Sequence, residues 1–529
     1  MKLTKSYTLF SLFSLLLSCC ISYRDGSDIR IYINDLKEKN PVPELNKIQM
    51  YADFDTLISI MERCNPQYLL RKKVTGYDML TEMKAQRIHI ENCDNTLDFI
   101  KLVKKVTSLS LDPHCSAGGS LVWHYQKSFF KKDIEINEIT KEDFGINFHY
   151  EHDIFRKYLP MINLIYIQGK YFLKHTTTFF NGEDSVSLPV GTEIVTFNQQ
   201  PVEDIQNTVR DWYSCWDYQN NRYYHPMLYI INTQNYIGFN LNNDTITEYL
   251  FDKFSQIKNN TYKKGYLVKW LEKDSIIYIT IPEMQYVKDW LKQLKSELLH
   301  YKKKPVQSVI IDIRGNWGGN DQVWEDVLGM VCKTSIEFPS CFITTMDSEV
   351  IKRTVPLNIE PIIEKENQKR IFECIDSQFT FRVRTEYMDT IKNHKRNLGY
   401  KGVIYILVDE DVYSSAGAFK SLNTKTNRIK TIGMPTGKVL GRGLNPSVFV
   451  LPNSRFIFRM ELVLDAAGTS KAEDFYHDHI DYKIIPSIEY YKYWHAFDRL
   501  YTIDEKAMYE YDEVFIKALE IIKAQQQQE

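Results

Sequence analysis

The chain has 529 residues, of which 43% are apolar and 25% charged. That is the balance of a folded globular protein, long enough for two to four domains at about 150 residues each. Lys plus Arg number 66 against 68 Asp plus Glu, so no basic excess points to nucleic acid and no charge block marks a disordered tail. Tyr (35) and Phe (28) are abundant, which suits a large mixed core or a surface that grips extended peptide.

The N-terminus reads as an export signal. Lys2 and Lys5 precede the apolar run Leu9 to Leu17, which is too short to span a bilayer. The run ends Leu16-Leu17-Ser18-Cys19 and resembles a bacterial lipobox, in which the cysteine becomes the lipidated N-terminus; an ordinary secretory signal is the alternative. Residues 1–18 are therefore expected to be a lipoprotein signal and Cys19 the lipidation site. Residues 19–47, polar with Pro41 and Pro43, are a linker off the membrane. The expected location is the cell envelope, on the outer membrane or the periplasmic face, with the membrane reached through the lipid. No later stretch is long and apolar enough for a membrane helix. The eight cysteines after Cys19 lack CxxC spacing, which argues against zinc. An oxidising compartment permits disulfides, but their pairing is not readable.

Residues 48–115 show helical spacing in Phe54, Leu57, Ile58 and Met61, and again in Phe99, Leu102, Val103 and Val106. This predicts a helical N-terminal domain. It ends in the loop Asp112-Pro113-His114-Cys115, followed by Gly118-Gly119. Residues 120–265 alternate apolar and polar positions and predict a β-rich region. Within it, the stretch from Leu188 to Ile205 is similar to the turn-strand-turn-helix core of PDZ-like domains.

Residues 266–485 are of another kind. A strand at Ile276 to Ile281 is followed by a helix with Val287, Leu291, Leu294 and Leu298 on one face, then by the apolar strand Val309 to Ile313. Strand-helix-strand order with fully apolar strands predicts a buried, largely parallel sheet. Val403 to Val408 repeats the pattern. Ser414 and Ser415 then fall where a helix begins, beside unpaired N–H groups and the positive end of its dipole. Taken alone, such a serine is an ordinary N-cap. A hairpin is expected at Val448 to Met460, around Pro452-Asn453-Ser454. Residues 486–529 predict a C-terminal helical tail.

Three loops carry the chemistry: Asp312-Ile-Arg314-Gly-Asn316-Trp-Gly318-Gly319, Ser415-Ala416-Gly417-Ala418, and Gly433-Met-Pro-Thr436-Gly437. No Gly-Lys-Ser/Thr follows the first, so a phosphate loop is a poor reading. In this order they resemble the protease core of the tail-specific (C-terminal processing) serine peptidases and their tricorn-like relatives. The resemblance spans about 200 residues, and its specificity lies in the joint order of the motifs. It implies an α/β fold, mixed α+β overall, with a ClpP/crotonase-like β-α core, a helical N-terminal domain and a PDZ-like β-rich domain. It implies a serine endopeptidase that takes unstructured or C-terminal polypeptide segments and needs no cofactor.

Carried over by position, Ser415 is the expected nucleophile, with Ser414 second. The N–H groups of Ala416 and of Gly318 or Gly319 are the expected oxyanion hole. Two branches of the family differ in the base. One uses a lysine in the third loop, where Lys438 stands; the other uses a histidine after the helical domain, as in Asp112-Pro113-His114. His114 is preferred, because histidine acts near pH 7 without a large pKa shift. Lys438 stays the alternative. For the acid, Glu473 or Asp474 are the candidates just upstream of His477-Asp478-His479-Ile480-Asp481. His477 and His479 alone make a poor metal site, and no metal is expected. Cys115 is a poor nucleophile, since its only nearby base is its chain neighbour. The family pattern departs at Trp317, Ala418 and Met434, which leaves a degenerate peptide-binding envelope lipoprotein as the alternative function.

Overall fold

The structure is a computed structural model. It describes residues 41–117, 139–150, 161–209, 226–229, 234–240, 246–256, 266–345, 347–350, 387–435, 446–469, 471–476, 478–496 and 504–527, and short strands at 216–217, 222–223, 381–383 and 443–444. The signal at 1–18, Cys19 and Lys438 lie outside the described residues.

The central sheet has six strands: β1 (Leu267–Leu271), β2 (Ile276–Thr280), β3 (Ser308–Asp312), β4 (Ile404–Val408), β5 (Ile429–Gly433) and β6 (Tyr482–Lys483), in that spatial order. β1 is antiparallel to β2, and all later pairs are parallel. Strands β2, β3 and β4 are buried along their whole length, as their predominantly apolar sequences suit. Their side chains alternate between two cores. Ile277, Ile279, Val309, Ile311, Ile404, Ile406 and Val408 meet the helices Lys288–His300, Gln322–Val331 and Ser415–Ser421 on one face. Ile276, Tyr278, Ile310, Tyr405, Leu407 and Ile432 meet Val514, Phe515, Ala518 and Ile522 of helix Glu513–Gln526 on the other. The C-terminal segment, read from sequence as a tail, thus covers a face of the sheet. Asp512, the N-cap of that last helix, also reaches into the site loops, as described below.

The N-terminal helices share one core with the hairpin Ser447–Val450 and Ile457–Met460. Helix Lys47–Cys64 opens with a capping box at Asn46 and Gln49 and buries Met50, Phe54, Leu57, Ile58 and Met61. These pack with Phe449, Leu451, Phe456, Phe458 and Met460. Asp53 of the same helix accepts hydrogen bonds from the backbone N–H groups of Asn453 (2.8 Å) and Ser454 (2.7 Å), which fixes the hairpin turn.

The described residues between 161 and 256 are β-rich. Their core is built from Phe179, Phe239, Phe251, Leu173 and Leu228. Strand Glu193–Phe197 and helix Val202–Val209 fall inside the stretch read as PDZ-like. Lys174 from this region lies 3.7 Å from Asp411, just ahead of the paired serines. Cys64, Cys93, Cys115, Cys332 and Cys341 are buried and form no disulfide among the described residues. Among the described residues, no helix is long and apolar enough to cross a membrane.

Candidate active site

The site forms where the C-terminal ends of β3 and β4 meet the loop after the N-terminal helices. The strand Ser116–Ala117 runs antiparallel to the hairpin strand Ile457–Met460, with Ser116 opposite Arg459 and Ala117 opposite Phe458. Extended two residues back from Ser116 and two on from Arg459, the same register faces His114 with Glu461. Strand periodicity of two puts both on one side. His114 Nδ1 is hydrogen-bonded to the Glu461 carboxylate. Nε2 of the same ring lies 2.9 Å from Ser414 Oγ. His114 is 6% exposed and Glu461 1%.

Ser414 follows β4 through the tight turn Asp409 to Tyr413 and is the N-cap of helix Ser415–Ser421. Its backbone has φ 53° and ψ −124°, a sharp strand-to-helix turn that pushes the hydroxyl outward, of the kind that holds exposed nucleophiles. The conformation is pinned on both sides. Tyr413 N–H donates to the Asn316 carbonyl (3.1 Å), and Ala418 N–H donates to the Ser414 carbonyl (2.8 Å). Ser414 is half-buried, whereas Ser415 is 5% exposed. The structure therefore brings Ser414, not Ser415, to His114. One step along the turn reverses the side-chain direction, and Ser415 faces the half-buried Asp321 on helix Gln322–Val331's N-terminal side.

The glycine loop is built on Arg314, which is fully buried. Its guanidinium pairs with Asp512 (2.7 and 2.9 Å) and with Asp312, and it reaches Tyr490 Oη (3.1 Å). Asn316, also fully buried, donates to the Ile281 carbonyl (2.8 Å). Gly318 has φ 100°, and a Cβ there would stand 2.6 Å from Ser414 Cβ and 2.9 Å from Ser415 N. Gly319 has φ 139°, and a Cβ there would stand 2.3 Å from the Met284 carbonyl oxygen. Only glycine lets this loop lie against the serine turn.

The donors expected for an oxyanion are shifted by one residue as well. Ala416 N–H is taken by the Tyr413 carbonyl (3.0 Å). Gly318 N–H is taken by Asn316 Oδ1 (2.8 Å). Among the described residues, the N–H groups of Ser415 and Gly319 donate to no protein acceptor. They are the two that can serve an oxygen bonded to the carbon that Ser414 attacks.

The carboxylate that meets His114 Nδ1 is Glu461, not one of the acids expected near 473–481. Asp474 accepts from Lys471 N–H (3.0 Å) in the turn Ala472–Phe475, which also holds Glu473. Asp478 pairs with Lys420, and Asp481 accepts from Lys430 and the Thr431 N–H on β5. Glu461 was missed because it lies within an apolar strand sequence, Phe456-Ile-Phe-Arg-Met-Glu-Leu-Val-Leu. A carboxylate in such a run was itself the available signal, since a buried acid needs a partner.

Burial pushes the Glu461 carboxyl up to about 8, against the opposing pull of Gln67, Arg459 and Arg71. Burial, and then Glu461, raise the Asp112 carboxyl as well. Burial pushes the Cys115 thiol up to about 12, which keeps it protonated. Asp112, His114 and Glu461 have donor atoms close enough to hold a metal ion. Both ring nitrogens of His114, however, are already engaged by Glu461 and Ser414. A hydroxyl, an imidazole and a carboxylate in relay, beside two free N–H donors, suit acyl transfer through a serine nucleophile.

Residues 275–474 match the model of peptidase family S41. The chain carries a peptidase family S41 domain. It is a hydrolase of the serine protease class, and the family resemblance read from its three loops is borne out. The fold is similar to that of mature CPAF, with a TM-score of 0.56 and 11% identity over 90% of this chain and 98% of that chain. It is similar also to mature CPAF complexed with lactacystin, with a TM-score of 0.55 and 11% identity over 90% of this chain and 99% of that chain. At that identity the likeness concerns the fold. No curated protein matches the sequence.

Proposed function

We propose that Ser414, His114 and Glu461 are the catalytic residues of an endopeptidase acting on unstructured or C-terminal segments of envelope proteins. The observation that carries the reading is the 2.9 Å contact of His114 Nε2 with Ser414 Oγ, with Glu461 on the other ring nitrogen. His114 Nε2 takes the hydroxyl proton as Oγ bonds to the scissile carbonyl carbon. The Glu461 carboxylate holds the imidazolium that forms. Ser415 and Gly319 N–H groups take the oxyanion, each such donor being worth roughly a hundred- to a thousand-fold in rate. His114 then passes its proton to the leaving amine, and the acyl group stays on Ser414 until water attacks through the same histidine.

In this reading the β-rich region at 161–256 adds a substrate strand to a sheet edge, as PDZ-like domains do, and Cys19 carries the lipid that holds the enzyme at the envelope. Cleavage of an unfolded polypeptide by the full-length chain tests the reading. Wild type is expected to cut it and folded Ser414→Ala to be inert. Equal cutting by both would overturn the assignment. Cys19→Ala is expected to move the protein from the membrane to the soluble fraction, and unchanged fractionation would overturn the anchor.

A further inference from the structure

Four chain segments meet behind the imidazole, and one buried carboxylate joins them. Asp112 Oδ1 accepts from the backbone N–H of His114 (2.9 Å) and from the Tyr413 hydroxyl (3.1 Å). Its Oδ2 accepts from Gln67 Nε2 (2.9 Å). The same Gln67 nitrogen donates to Glu461 Oε2 (2.6 Å), and Gln67 Oε1 accepts from Arg71 (3.1 Å). The Tyr413 ring lies 4.5 Å from the His114 ring, centroid to centroid, and Tyr413 is the residue before Ser414. Asp112, Gln67 and Arg71 are each no more than 4% exposed, so water does not compete for these bonds.

We propose that Asp112 is a positioning residue. It locks the base loop to the nucleophile turn through Tyr413, while Gln67 clamps it to Glu461, so that the imidazole is held in line between Ser414 and Glu461. This rests on the assignment of those three as the catalytic residues. A backbone bond to His114 fixes where the ring starts, a bond to Tyr413 fixes where the hydroxyl it serves starts, and both end on one atom. A rotation of either loop therefore breaks a bond in a dry site, where an unpaired polar group is costly.

The arrangement also has an electrostatic consequence. Asp112 and Glu461 are two carboxylates on one amide. The charged and titratable groups facing Asp112 are Glu461, His114 and Arg71; those facing Glu461 are His114, Arg459 and Arg71, with the Gln67 amide donating to it. Burial and then the Glu461 carboxylate raise the Asp112 carboxyl. Asp112→Asn is neutral and keeps an acceptor for His114 N–H and the Tyr413 hydroxyl.

The test is kcat and KM on a chromogenic peptide, for wild type, Asp112→Ala, Asp112→Asn and Tyr413→Phe. Asp112→Ala is expected to lose kcat at unchanged KM, and Asp112→Asn, which keeps the acceptor, to recover most of it. Tyr413→Phe is expected to lose about tenfold in kcat at unchanged KM, the scale of one buried hydrogen bond. If either Asp112 variant does not fold, the Tyr413→Phe split decides by itself. An Asp112→Asn variant as slow as Asp112→Ala, or a Tyr413→Phe loss in KM alone, would overturn the proposal. Failure of wild type to react with a fluorophosphonate would instead remove the catalytic assignment beneath it.

Discussion

His114 Nε2 and Ser414 Oγ stand 2.9 Å apart across 300 residues of chain. The pairing supports His114 over Lys438 as the proposed base. His114→Ala is expected to lower kcat by roughly a hundred- to ten-thousand-fold, the range of a positioned general base, while Lys438→Ala stays near wild type. Peptide hydrolysis by the two variants checks it. The opposite order would restore a serine–lysine dyad.

Glu461 predicts opposite pH trends for stability and activity. Burial holds its carboxyl at about 8 in the folded chain, above the ordinary carboxylate range. The folded state keeps a proton that the unfolded state releases. Its stabilising contribution is therefore full below the ordinary carboxyl range and is lost as pH rises through about 8. Glu461→Gln cannot ionise and lacks that slope. Thermal unfolding from about pH 5 to about pH 8 is expected to shift the balance progressively toward the variant, and parallel curves would contradict this. Activity runs the other way: kcat/KM rises as the carboxylate forms, and the variant is slower by orders of magnitude.

Arg314 and Asp512 are both fully buried, and their pair ties the glycine loop to the C-terminal helix. Removing one charge leaves the other unpaired in a dry site. Asp512→Ala is expected to cost about 3–5 kcal/mol of stability, read as a lower urea midpoint. The N-cap bond to Phe515 N–H (3.2 Å) is lost with it. A change under about 1 kcal/mol, the scale of an exposed pair, would show that the pair is not what anchors the loop.

Gly318→Ala is expected to remove activity out of proportion to stability. Its Cβ would stand 2.6 Å from Ser414 Cβ and 2.7 Å from the Tyr413 carbonyl, so the serine turn must shift. Circular dichroism close to wild type with hydrolysis lost is the expected outcome. Retained hydrolysis would place the nucleophile elsewhere.

The central sheet was legible because Val309 to Ile311 and Val403 to Val408 are apolar runs of strand length, which a two-sided core accommodates. His114 was legible because a loop histidine after the helical domain fitted one branch of the family. The neighbouring serines were not separable by motif. Which hydroxyl faces outward depends on the positive φ at Ser414, a property of the turn and not of the residue type. The same one-residue offset moved the free N–H groups to Ser415 and Gly319. Glu461 was hidden because its partner is set by cross-strand register with Ser116–Ala117, more than three hundred residues away in sequence. The C-terminal helices looked like a tail because a helix shows its own apolar face but not the sheet it covers. The PDZ-like reading of 188–205 and the lipid anchor at Cys19 stand as proposals.

The central claim is that Ser414 is the nucleophile. It is tested most directly by reacting the protein with a fluorophosphonate and locating the adduct by peptide mass spectrometry. The account predicts the adduct on Ser414, lost in Ser414→Ala and kept in Ser415→Ala. An adduct on Ser415 that survives Ser414→Ala would contradict it.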